Sequence, residues 1–168
     1  MPYTLEQLSA DIRSELSVDS GTAGQTKLLS FVSSALLDDT FVEEHLQASV
    51  CKPRKVLYED PDLGFCICGH VYEEGLDEVW PHDHGSTWAI YGLAGGDTEM
   101  TDWEIVKKGD DNNASLVKPV RKYEMKRGDC YLYQTGDVHS PNIGVGTKLI
   151  RVEGKNLDRV NRSNIKAA

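Results

Sequence analysis

The second half of the chain limits what it can fold into more than anything else in the sequence. From residue 51 onward, short strand-forming runs alternate with turn clusters. The runs are Lys55–Tyr58, Phe65–Tyr72, Glu78–His84, Trp88–Leu93, Glu99–Lys107, Leu116–Met125, Cys130–Tyr133 and Lys148–Glu153. Between them lie turn formers such as Glu59-Asp-Pro-Asp-Leu-Gly64 and Lys108-Gly-Asp-Asp-Asn-Asn113. Many short strands separated by frequent turns predict a β-sandwich or barrel.

The first 48 residues have a different period. Thr4-Leu-Glu-Gln7 has the form of a capping box, and Leu5, Leu8, Ile12 and Leu16 then recur at spacings of three and four. This predicts a helix over 4–17. Ser20–Gly24 interrupts the pattern, which resumes over 25–37, and Asp38-Asp-Thr40 caps a short third helix through Leu46. At 168 residues the chain fits one domain: helices over 1–48 covering a β-barrel over 50–155, then a C-terminal tail, 156–168.

Composition narrows the partners. With 27 acidic and 18 basic residues the formal net charge is −9, which argues against nucleic acid or an anionic membrane. No apolar run reaches the ~20 residues of a membrane span. No signal peptide is legible at the N-terminus, so the expected location is cytoplasmic. Cys51, Cys66, Cys68 and Cys130 form no Cys-x-x-Cys motif and are expected to be reduced and partly buried.

The chemistry centres on Trp80-Pro-His82-Asp-His84-Gly. On a strand, side chains alternate, so His82 and His84 share a face and Asp83 takes the other. Two neutral imidazoles on one face suit a divalent transition metal. His139, in Gly136-Asp-Val-His139-Ser-Pro-Asn142, is the third candidate ligand, read as a turn leading into a strand. His45 belongs to the helical cover. His70 reads as a core or supporting histidine. Trp88, Tyr91, Tyr131 and Tyr133 are expected to line the barrel or its outer wall.

These segments resemble the two motifs of the cupin superfamily, a double-stranded β-helix or jelly roll. Gly75, His82-x-His84 and Gly95-Gly96 match the first, with Ala89 where a glutamate ligand is expected. Gly128, Gln134-Thr-Gly136, His139 and Asn142 approximate the second. The resemblance implies a mainly β jelly-roll barrel with N-terminal helices and a site of three neutral ligands.

A three-histidine cupin site is similar to that of the thiol dioxygenases: cysteine dioxygenase and the bacterial 3-mercaptopropionate dioxygenases. That resemblance implies Fe(II) at His82, His84 and His139, with a small organic thiol and O2 as substrates and a sulfinate as product. Pro53-Arg54-Lys-Val-Leu-Tyr58 resembles the stretch whose arginine binds the substrate carboxylate, which makes Arg54 the candidate. The family's Cys–Tyr crosslink would need a cysteine at Ala89 and is expected to be absent. The stretch comparable to its Ser-His-Tyr triad is Leu149-Ile-Arg151-Val-Glu153, in which Arg151 and Glu153 either orient substrate or form a salt bridge. Two other functions suit the same ligands: cleavage of a diketone or related enolate, and sensing or storage of a small acid. The same imidazoles also bind Zn, Ni, Mn or Co.

Overall fold

The computed structural model describes residues 2–76 and 80–168. It places two sheets face to face as a jelly-roll barrel, with three helices against one outer face. Helix α1 (Leu5–Val18) starts at Thr4, whose hydroxyl accepts from Gln7 N–H, and buries Leu8, Ile12 and Leu16. Helix α2 (Thr22–Leu37) begins three residues before its apolar stripe. Its first turn is closed by Gln25, whose backbone N–H donates to Gly21 O and whose side chain donates to Ser20 O. Helix α3 (Asp39–His45) is capped by Asp38.

Among the described residues the strands are β1 (Arg54–Glu59), β2 (Cys66–Tyr72), β3 (Ala89–Gly95), β4 (Thr98–Lys107), β5 (Ser115–Met125), β6 (Cys130–Tyr133), β7 (Val138–Ile143), β8 (Thr147–Glu153) and β9 (Ile165–Ala167). One sheet has the order β1-β2-β8-β3-β6 and the other β7-β4-β5-β9. All pairings are antiparallel except β9 on β5, which is parallel.

Alternation splits the five-stranded sheet into two environments. Ile67, Val71, Ile90, Ala94, Ile150 and Val152 face the helices and pack with Leu8, Ile12, Leu28, Val32 and Leu36. Gly92 makes this close approach possible, since a Cβ there would stand 2.6 Å from Leu36 Cδ1. The other face turns into the barrel, where Tyr91, Leu93, Leu149 and Tyr133 meet Met100, Met125 and Ile143 of the facing sheet.

The turn expected at Gly136 does lead into a strand, β7, and His139 sits inside it. Two expectations change. Glu78–His84 was expected as a strand; 78–79 lie outside the described residues, and over 80–84 only His82 pairs, in an isolated bridge to His139. Residues 156–168, read as a tail, contain a 3-10 turn at Leu157–Arg159 and strand β9.

Candidate metal centre

One loop and one strand bring the imidazoles together. His82 and His84 lie in the loop between β2 and β3, and His139 lies on β7 of the facing sheet. His82 and His139 exchange both backbone hydrogen bonds, N–H to O, each at 3.0 Å. The backbone therefore sets the spacing of these two side chains. Ring centroids are 4.7 Å apart for His82–His139, 4.6 Å for His84–His139 and 5.8 Å for His82–His84. One nitrogen from each ring can be chosen so that all three lie within 4.8 Å of one another.

The tautomers suit a metal. His82 Nδ1 lies 2.9 Å from Trp80 O, and His139 Nδ1 lies 3.3 Å from Asp137 O. A carbonyl only accepts, so each Nδ1 carries the proton and each Nε2 keeps a free lone pair. His139 Nε2 and both nitrogens of His84 are buried without a hydrogen-bond partner. Orphaned buried acceptors cost free energy unless something binds them, and a cation meets that need. Burial, ahead of neighbouring charge, pushes His82 down to about 4 and holds His84 and His139 well below the usual imidazole range. Neutral imidazoles with converging lone pairs fit a divalent transition ion, so this His82/His84/His139 group could hold one.

Aromatic rings wall the site. Tyr133 stacks on His139 at 3.9 Å, and Tyr91 lies parallel to His84 at 6.1 Å. Tyr133 OH is 2.6 Å from Tyr123 OH, which donates to Asp102. A cavity of about 460 Å³ at the seam of the sheets, lined by Trp103, Tyr123 and Tyr131, reaches Tyr133 but no imidazole. Trp88 packs instead on the helix side.

Among the described residues no carboxylate joins the three imidazoles as a fourth ligand. Ala89 is fully buried and faces Glu153 across the β3–β8 ladder. Glu153 is fully committed elsewhere: Oε1 accepts from Arg151 Nε at 2.7 Å and Arg151 Nη2 at 2.6 Å. Its Oε2 accepts from Arg54 Nη2 at 3.0 Å, Leu157 N–H at 2.9 Å and Cys66 Sγ at 3.4 Å. Burial pushes this carboxyl up, but Arg151, Leu157 N–H and Arg54 together hold it below the ordinary range.

The cations divide by what already holds them. Arg151 is almost wholly buried on Glu153 and on Tyr91 OH, which accepts from Nη1 at 3.0 Å. Arg54 donates to Glu153, to Asp158 at 2.7 Å and to Asn156 at 3.1 Å, while its Nε is buried without a partner. The structure thus places Arg54, Arg151 and Glu153 in one network beside the imidazoles. His70 sits within reach of that network, its Nδ1 3.1 Å from Tyr72 OH.

Sequence reasoning missed the segment that packs on the histidine loop. Residues 156–164 run from β1 past the histidine loop to β5. Asn156, Asp158 and Arg159 bond Arg54 and Glu59; Ser163 donates its N–H and hydroxyl to Asp83 at 3.0 and 2.6 Å; Ser115 N–H donates to Asn164 O. Val160 and Asn161 press on Gly85, where a Cβ would stand 2.2 Å from Asn161 O. Between these anchors, Arg162 is exposed and makes no ion pair among the described residues. After burial and, for His84 and His139, neighbouring imidazoles, Arg151 and Arg162 are the cations that further lower all three rings. An arginine followed by Ser163 carries no periodic signal, so nothing in the sequence singled it out.

The fold and site together define a jelly-roll protein with a three-histidine cluster suited to a metal. No protein-family profile and no curated protein matches the sequence. Solved structures that resemble it include KdgF from a Halomonas species, 16% identical over 64% of this chain and 83% of that one, TM-score 0.45. An uncharacterised conserved protein with a double-stranded β-helix domain from Klebsiella pneumoniae is 17% identical over 74% and 94%, TM-score 0.45. A cupin superfamily protein from Desulfitobacterium hafniense is 14% identical over 61% and 76%, TM-score 0.42. At these identities and scores the likeness adds nothing about chemistry. No described helix is long and apolar enough to cross a membrane.

Proposed function

We propose that the protein is an Fe(II)-dependent thiol dioxygenase that converts a small organic thiol bearing a carboxylate to its sulfinate. The observation that carries this reading is the ligand set: three neutral imidazoles, with Ala89 where a carboxylate ligand would stand and Glu153 held by Arg151 and Arg54. Iron(II) there would keep its full charge, favour an anionic thiolate and supply the redox chemistry with O2.

The chain's own residues do the rest. Neutral imidazoles need lose no proton to bind the ion. Tyr91 and Tyr133 wall the site and exclude bulk water. Arg162, exposed between the two anchors of the 156–164 segment, is the cation available to a substrate carboxylate. Arg54 and Arg151 are engaged by the protein, in ion pairs with Glu153. A planar guanidinium suits bidentate carboxylate binding.

The test is oxygen uptake by iron-loaded protein with cysteine, 3-mercaptopropionate, cysteamine and mercaptosuccinate, alongside acetylacetone. The expected result is one O2 consumed per thiol, with both oxygen atoms in the sulfinate. Cleavage of acetylacetone with every thiol left untouched would overturn the reading in favour of a carbon–carbon dioxygenase. Binding of a thiol without oxygen uptake would overturn it in favour of a sensor.

A further inference from the structure

A second reactive cluster lies inside the barrel and has no part in the proposed reaction. Cys66 and Cys68 are two residues apart on β2, so both side chains turn inward with Glu153 and Arg151, their ladder partners on β8. Both residues are fully buried and their sulfurs are 3.7 Å apart. Cys51 and Cys130 pack on the opposite, helix-covered face.

Two thiols and a carboxylate this close also resemble a metal site. The electrostatics argue against one. Glu153 already accepts from Arg151, Arg54, Leu157 and Cys66, which leaves no lone pair aimed at an ion, and the two guanidiniums repel a cation. The same surroundings suit a different reaction. Arg54 and Arg151 converge on Glu153, the carboxylate that Cys66 also reaches. The hydrogen bond with Cys68, followed by burial, pushes the Cys66 thiol up, so Cys66 keeps its proton.

We propose that Cys66 and Cys68 form a dithiol that hydrogen peroxide converts reversibly to a disulfide. Cys68 Sγ attacks one peroxide oxygen, the O–O bond breaks, and the departing hydroxide takes the Cys68 thiol proton as water. Cys66 Sγ then attacks the Cys68 sulfenic acid, the S–O bond breaks, and the leaving hydroxide takes the Cys66 proton as water. The two thiols lose two electrons and the peroxide is reduced to two waters. Alternate residues of a strand are about 6.6 Å apart, near the long end of the range a disulfide spans. Closure puckers β2 and leaves a strained bridge, and strained bridges are the readily reduced ones. Closure also removes the Cys66 donor from Glu153 and so alters the Glu153–Arg151–Tyr91 connection beside His84.

The test uses the folded full chain, treated with chelator and then with a small excess of hydrogen peroxide, denatured in N-ethylmaleimide and digested with trypsin. One tryptic peptide, Val56–Lys107, carries both cysteines. It is expected to be unlabelled and lighter by two hydrogens, and to accept two labels after dithiothreitol. The Cys51→Ala, Cys130→Ala double variant should give the same result, and Cys66→Ser should stop at an oxygenated Cys68. Two labels on this peptide after peroxide, or a bridge from either cysteine to Cys51 or Cys130, would overturn the proposal. The assay needs neither iron nor a thiol substrate, so its outcome is independent of the dioxygenase reading.

Discussion

Ala89 and Glu153 face each other across the β3–β8 ladder, both fully buried, the smallest chiral side chain opposite an ionised carboxylate. Position 89 is where a cupin-like glutamate ligand was expected. Among the described residues the carboxylate opposite it comes from the neighbouring strand and is neutralised by Arg151 and Arg54.

Ala89→Glu therefore sets a second carboxylate against the first. Without metal, the variant is expected to lose about 3 kcal/mol or more of stability, as for an uncompensated buried charge. Adding Co(II) or Zn(II) should recover much of it by turning the new carboxylate into a ligand. Denaturant titration with and without the ion measures both. Equal stability to the parent in the metal-free state would mean that residue 89 does not face Glu153.

Metal content reports on the imidazoles directly. His82→Ala, His84→Ala and His139→Ala are each expected to remove most bound Co(II) or Fe(II), because two ligands hold such ions weakly. His45→Ala and His70→Ala should not. Elemental analysis after gel filtration reads the difference.

Arg162 and Arg54 should separate cleanly. Arg162→Ala is expected to raise KM for a carboxylate-bearing thiol about ten- to a hundredfold, the loss of roughly 1.5–3 kcal/mol for a charge-assisted hydrogen bond, with stability unchanged. Arg54→Ala strips a partner from buried Glu153 and should lower the melting temperature instead. Steady-state kinetics beside thermal denaturation distinguishes the two, and a KM effect confined to Arg54→Ala would assign the carboxylate to that residue.

Gly85 stands at a positive φ of 61°, with Asn161 O against it. Gly85→Ala is expected to push the 156–164 segment off the histidine loop and weaken the Ser163–Asp83 contact. Hydrogen exchange of the Ser163 amide should quicken while β2, β3 and β8 stay protected. Unchanged Ser163 exchange would show that the contact with Gly85 is not what seats the segment.

Asp60 predicts a pH dependence. Burial pushes this carboxyl up, but the Leu63 and Asp62 N–H donors and the Arg13 guanidinium outweigh burial and hold it below its ordinary value. A group depressed in the folded state stabilises it above the unfolded pKa, about 3.9 for aspartate, and this contribution fades as pH falls through the lower folded value. Asp60→Asn should thus be less stable than the parent by a constant margin between about pH 5 and 8, with the margin shrinking in stronger acid. Melting curves across that range decide it.

Much of the architecture could be read from periodicity. Seven of the expected strands appear within a residue or two of their places, because each alternates apolar and polar residues against a buried face. β7 was less legible because it contains Pro141. Proline lacks an N–H and is confined to edge strands or bulges, and β7 is an edge of its sheet. Strand β9 has three residues, Ile165-Lys-Ala167, too few for a period to show. The histidine spacing drew attention to His82 and His84, but their convergence with His139 depends on a backbone bridge across 57 residues of sequence. The role of Asp83 as anchor for Ser163 was invisible for the same reason: a hydrogen bond between residues 80 apart leaves no local trace.

The 156–164 segment also implies an order of events. Every histidine and every barrel strand before β9 precedes residues 156–164 in the chain, so during synthesis the imidazoles can gather while nothing yet lies over them. An ion arriving then meets an open bowl. One arriving later must pass a chain clamped at Asp83 and at Glu59, and exchange of bound metal in the finished protein should be slow for that reason alone.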